Sequence, residues 1–143
     1  MTPIVTIPAA IGSPGYSSEL PREEESVPLA RSLVRSSLSA WGLDYWAGVA
    51  ELVVSELATN AVKHGAGRWI TVRVTRSRDD RVRVSVTDGS LAMPIVKRPS
   101  PDSVSGRGLL LVNEMTNGWG TDLSRRAKTV WAEIEVTEAP YES

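Results

Sequence analysis

The chain of 143 residues contains no cysteine and no phenylalanine, and His64 is its single histidine. Without cysteine there can be neither a disulfide nor a thiolate metal site. One imidazole also excludes a multi-histidine zinc site. Charge of one sign is lacking too: the formal net charge is -1, which gives no global reason to expect nucleic acid or a membrane surface as partner. No apolar run approaches the roughly 18 residues that would indicate a membrane span. Met1-Thr2-Pro3-Ile4-Val5 shows no basic region followed by an apolar stretch of signal-peptide length. The expectation is a cytoplasmic protein of about one domain, large enough to bury a real core.

What is present is periodic. Ile4, Val5 and Ile7 read as a short first strand. The following stretch to about residue 26 carries Pro8, Gly12, Pro14, Gly15, Pro21 and Glu23-Glu24-Glu25, the composition of a loose arm. A helix then starts near Pro28, with Leu29, Leu33, Val34, Leu38 and Trp41 on one stripe, and ends at Gly42. Asp44 is placed to cap a second helix from Tyr45 to His64, with Gly65 as a left-handed closing residue. The apolar arc of that helix is Ala50, Val53, Val54, Leu57, Ala58 and Ala61. Alternation of period two follows in Ile70, Val72 and Val74, and again in Val82, Val84 and Val86, around the turn-rich Ser77-Arg78-Asp79-Asp80. This predicts an antiparallel hairpin. After an aperiodic stretch containing Pro94, Pro99 and Pro101, a third helix is expected from Gly108 to Met115. A short strand or turn at 117–122 and a last strand from Thr129 to Val136 complete the chain.

Three polar islands interrupt these apolar segments. In the first, Glu56 and Asn60 lie one helical turn apart on a flank of the buried arc, with Lys63 on the same flank. The Asn60 amide oxygen is a hard ligand suited to Mg²⁺, and Glu56 is placed to accept a proton from a hydroxyl or water. A solvated pair on a helix surface is the plain alternative. In the second, Asp88-Gly89 ends a valine strand. A carboxylate there can accept the exocyclic amine of adenine while glycine permits close approach, although Asp-Gly is also a common turn. In the third, Gly106-Arg107-Gly108 precedes Leu109-Leu110-Leu111-Val112. Backbone N–H groups at such a helix start hold anions, and Arg107 adds a fork for phosphate oxygens; a loop that merely ends at a helix fits the same residues. Neither a Walker A loop nor a Rossmann fingerprint is present.

Arg68, Arg73, Arg76, Arg78, Arg81 and Arg83 form a basic cluster. Glu133 and Glu135 occupy the matching face of the last strand, so cross-strand ion pairing is expected there. Stacking platforms for bases are lacking, with only Trp69 nearby, which argues against direct nucleic-acid binding.

The order of the islands resembles the histidine-kinase-like, or Bergerat-fold, ATPases. It is closer to the actinobacterial anti-sigma-factor serine kinases of the RsbW/SpoIIAB type. The resemblance rests on residues 55–65, Thr87-Asp88-Gly89, residues 105–112 and Lys128-Thr129-Val130-Trp131. It implies an α+β two-layer sandwich with a mixed, mostly antiparallel sheet and helices on one face, over residues 26–138. Residues 1–25 would be an N-terminal strand and arm, and 139–143 a tail. It further implies ATP and Mg²⁺ as cofactors and a lid at about 91–105. Glu56 and Arg107 become catalytic, and Asn60 the metal ligand. Asn60, Lys63, Asp88, Gly89, Gly106, Arg107, Gly108, Leu109 and Thr129 become nucleotide-binding, Thr129 helping to hold adenine. The implied partners are a sigma factor and an antagonist protein phosphorylated on serine, with homodimerisation and no membrane contact. Two positions depart from the pattern: Gly89-Ser90-Leu91 lacks a second glycine, and Ser103-Val104-Ser105 stands where the kinases often carry a lid arginine. A non-catalytic, ATP-gated interaction module of the same fold is the alternative.

Overall fold

A computed structural model describes residues 4–7, 14–89 and 115–137. Six strands form one sheet: β1 (Ile4–Ile7), β2 (Gly15–Pro21), β3 (Trp69–Arg78), β4 (Arg81–Asp88), β5 (Gly118–Leu123) and β6 (Lys128–Glu135). Their order is β1-β2-β3-β4-β6-β5, and every neighbouring pair is antiparallel. Helices α1 (Ser26–Ala40) and α2 (Ala47–His64) cover one face. α1 lies on β2 and β3, and α2 lies mainly on β4. The result is the α+β two-layer sandwich that the resemblance implies, with the sheet antiparallel throughout its described pairs.

The core is the meeting of one helical arc with one strand face. Ala50, Val53, Val54, Leu57, Ala58 and Ala61 are all buried on α2, as the 3.6-residue period dictates. Opposite them are the inward residues of the hairpin, Ile70, Val72, Val74, Val82, Val84 and Val86, and Ala132 and Ile134 of β6. On α1 the stripe is rotated from the expected one. Leu29 is 53% exposed, whereas Ala30 and Ser37 are buried beside Leu33, Val34 and Leu38. Ser37 meets the cost of burial by donating its hydroxyl to the Leu33 carbonyl, at 2.7 Å. Gly42 ends α1 with φ at 71°. Leu43 N–H bonds back to Leu38 O and Gly42 N–H to Ser39 O, the paired reverse bonds of a Schellman closure.

Several boundaries differ from expectation. The segment read as a loose arm contains β2, which pairs along its whole length with β3. It carries only Leu20 as a buried aliphatic, so alternation is invisible there and the strand is held chiefly by its ladder with β3. Asp44 does not cap α2: a 3-10 turn from Asp44 to Trp46 intervenes, with no side-chain capping bond. The helix therefore begins at Ala47 rather than Tyr45. Gly65 is not left-handed, since its φ of -80° and ψ of -174° are extended; its reason for being glycine lies in the site described below. The expected third helix (108–115) and the lid (91–105) lie outside the described residues, apart from Met115.

Arg22, just after β2, reaches across to the end of α2. Its guanidinium donates to Val62 O and Gly67 O, both at 2.6 Å, and so satisfies a terminal helix carbonyl with a cation. Arg22→Ala should lower stability by about 1 kcal/mol, the size expected of a partly solvated charged cap. A denaturant titration checks this, and an unchanged midpoint would show that the cap contributes nothing.

Candidate functional site

The site grows out of strand parity. Val82, Val84 and Val86 face the helices, and the same alternation turns Asp88 inward at the end of β4. Its side chain is only 1% exposed. A buried carboxylate must be paired or hydrogen-bonded, and Asp88 is both. Its Oδ1 accepts the Ala66 N–H at 3.2 Å, and Oδ2 lies 3.5 Å from Lys128 Nζ. Lys128 is the residue directly across the ladder from Asp88. Gly89 N–H in turn bonds Ala66 O at 2.9 Å. The α2–β3 loop is thus held by Asp88 and Gly89 on both sides of one residue.

Gly65 makes this approach possible. A Cβ there would stand 2.9 Å from Asp88 Oδ2 and would also strike the Ala61 carbonyl. The glycine therefore serves close contact with the carboxylate, which is why its backbone is ordinary and extended.

Beside Asp88 opens a pocket of about 190 Å³. α2 contributes Asn60, Ala61 and His64; β6 contributes Lys128 and Val130; β5 contributes Trp119 and Thr121. This volume lies below the roughly 300–1,000 Å³ of a complete small-molecule site. It suits a flat heterocycle better than a whole nucleotide. Apolar walls with a buried carboxylate at one end are what a base offering an amino group requires.

The structure brings Asn60 and Asp88 to one pocket, with Gly89 next to Asp88. Glu56 sits half-buried one turn before Asn60, and Lys63 is exposed; neither lines the pocket. Thr129 belongs to the opposite sheet face. Its hydroxyl meets that of Thr87 at 2.7 Å, because adjacent residues of a strand point to opposite sides. The expectation that Thr129 holds a base in this pocket is therefore corrected: the inward positions at this strand start are Lys128 and Val130. Gly106, Arg107, Gly108 and Leu109 lie outside the described residues.

Of the pocket lining, Asn60 and Asp88 are expected from the sequence, whereas Ala61, His64, Trp119, Thr121, Lys128 and Val130 are not. His64 had been read as a helix-end residue only. Lys128 enters the sequence reading only as the first residue of the last-strand motif, and the signal for its inward position is its parity with Val130, Ala132 and Ile134. The basic cluster, by contrast, behaves as expected. Glu133 pairs with both Arg81 and Arg83 at 3.2 Å, and the Arg83 guanidinium lies 4.1 Å over the Trp131 ring on the face away from the helices.

Comparison with known families matches residues 20–134 to the histidine kinase-like ATPase domain. No curated protein matches the chain.

Proposed function

Since the chain belongs to the histidine kinase-like ATPase domain family and is thereby an ATP-binding protein, we propose that it is a cytoplasmic anti-sigma factor. In this proposal it also phosphorylates a serine on an antagonist of that factor, and works as a homodimer. The observation that carries the nucleotide part is Asp88: a buried carboxylate at a strand end, aimed into a base-sized pocket that Asn60 also lines. The regulatory part rests on the resemblance of the four ordered motifs to the anti-sigma-factor kinases.

The donor set fits Mg-ATP. Among the described residues no cluster of three or more His, Cys, Asp or Glu can hold a metal, so a cation here takes most of its ligands from phosphate and water, as Mg²⁺ does. Asn60 supplies one neutral oxygen to it. When bound, the metal screens phosphate charge. Glu56, one turn earlier on α2, is assigned as the acceptor of the serine hydroxyl proton. Arg107 with the Gly106, Gly108 and Leu109 backbone is assigned to phosphate oxygens, and Lys63 to the outer rim. Among the described residues no helix is long and apolar enough to cross a membrane.

Calorimetry with ATP, with and without Mg²⁺, tests the first step. Asn60→Ala should weaken Mg-ATP binding about tenfold, the loss of one contact to a charged group, and leave metal-free ATP binding unchanged. Glu56→Ala should leave binding intact and lower serine phosphorylation by about 10²–10⁴-fold. Equal labelling by Glu56→Ala would remove that residue from the chemistry. A second reading, a non-catalytic ATP-gated module, is favoured by Ser103-Val104-Ser105, which stands where the kinases often carry a lid arginine. Nucleotide-dependent capture of a sigma factor without phosphate transfer would establish it.

A further inference from the structure

The pocket holds a second charged group beside Asp88 for which no role has been given. Lys128 lines the pocket, keeps 28% of its side chain exposed and places Nζ 3.5 Å from Asp88 Oδ2. An ammonium carries three donors. A tight charge-assisted bond would measure about 2.7–2.9 Å, so the Asp88 contact is a loose ion pair that leaves the ammonium capacity for a further acceptor in the pocket it lines. The backbone at Lys128 is held on both sides: it is paired with Asp88 across the β4–β6 ladder and with Leu123 across β5–β6.

An adenine edge has matching chemistry. Its exocyclic amine donates, and the ring nitrogens N1 and N7 on either side of that amine accept. A carboxylate alone reads only the amine. A carboxylate with an ammonium beside it reads a donor and a neighbouring acceptor together. Building on the assignment of this pocket to the ATP base, we propose that Lys128 is a base-reading residue that donates a hydrogen bond to N1 or N7 of adenine while Asp88 accepts from the amine. The pair also presents the incoming polyanion with a compensated carboxylate instead of a bare one.

The test compares ATP with 1-deaza-ATP and 7-deaza-ATP, each lacking one acceptor, on the full chain by calorimetry. Wild-type protein should bind one of the two analogues about tenfold or more weakly than ATP, the loss expected for a hydrogen bond from a charged donor. Lys128→Met keeps the apolar stem. It should weaken ATP to the level of that analogue and no longer distinguish the two. Lys128→Gln, which restores a neutral donor, should recover part of the difference. If wild-type protein binds ATP and both analogues equally, Lys128 makes no contact with the base and the inference fails alone. It also fails if Lys128→Met weakens all three ligands to the same extent, which would make the lysine a charge-compensating group only. Tighter ATP binding by Lys128→Met would make it a competitor for Asp88. Absence of ATP binding by the wild-type protein overturns the assignment of the pocket itself.

Discussion

Asp88→Asn should reduce ATP affinity at least about a hundredfold while leaving a folded protein. The two side chains are nearly isosteric, so the loss would come from polarity. As a carboxylate, Asp88 is acceptor-only, and it is almost wholly removed from water. With the amide oxygen kept on the Ala66 N–H, the amide nitrogen falls at the Oδ2 position, facing Lys128 Nζ. A donor would then confront both an ammonium and the amino group of the entering base. Loss of a hydrogen bond to a charged group is worth about 1.5–3 kcal/mol, and a mismatched donor adds to it. Stability should fall by less than the 3–5 kcal/mol typical of breaking a fully buried pair, because the part-exposed Lys128 can turn to water. Calorimetry together with thermal melting separates the two effects. Affinity within threefold of wild type would remove Asp88 from base recognition.

Gly65→Ala is the other large expected effect, and its cause is different. The backbone at Gly65 suits any residue, so alanine introduces no torsional strain. The methyl group, however, has no room. It would lie 2.8 Å from Asp88 Cγ and collide with the Ala61 carbonyl, which accepts the Gly65 N–H at 2.9 Å. The last turn of α2 or the carboxylate must move, and overpacking of this kind costs about 1–3 kcal/mol. Because both neighbours of the new methyl belong to the pocket wall, ATP affinity should drop together with stability, by about tenfold or more. Denaturant unfolding and calorimetry on the same sample check it. A loss of stability with unchanged ATP affinity would show that the helix end, and not Asp88, absorbs the displacement.

Legibility in the sequence followed the strength of local periodicity. The buried arc of α2 could be read residue by residue, because its apolar positions are continuous and none is ambiguous. The hairpin was equally clear, down to the pairing of Arg83 with Glu133. On α1 the large exposed Leu29 outweighed Ala30 and Ser37 in the reading, yet small residues are what let a helix lie close to a sheet. β2 is not legible because Gly15-Tyr16-Ser17-Ser18-Glu19-Leu20-Pro21 gives almost no hydrophobic alternation, and β3, the partner along its whole length, lies some fifty residues away. The site shows the same division. Asp88 and Asn60 stood out as polar residues at the edges of apolar runs. Lys128 did not, since a lysine at a strand start looks solvated until the β4–β6 register sets it opposite Asp88. Thr129 was chosen over it by motif position, and one residue of parity put it on the wrong side of the sheet.

The strand order has a consequence for the connection from β4 to β5. Among the described residues β5 is the next strand after β4, yet it pairs with β6, on the far side. The described part of the pocket wall is supplied by β4, β5, β6 and the end of α2, and its register does not require β4 and β5 to be neighbours. For a flexible connection, each doubling of length costs only about 0.6 kcal/mol of closure entropy. A connection from β4 to β5 can therefore differ in length without changing the register that places Asp88 opposite Lys128.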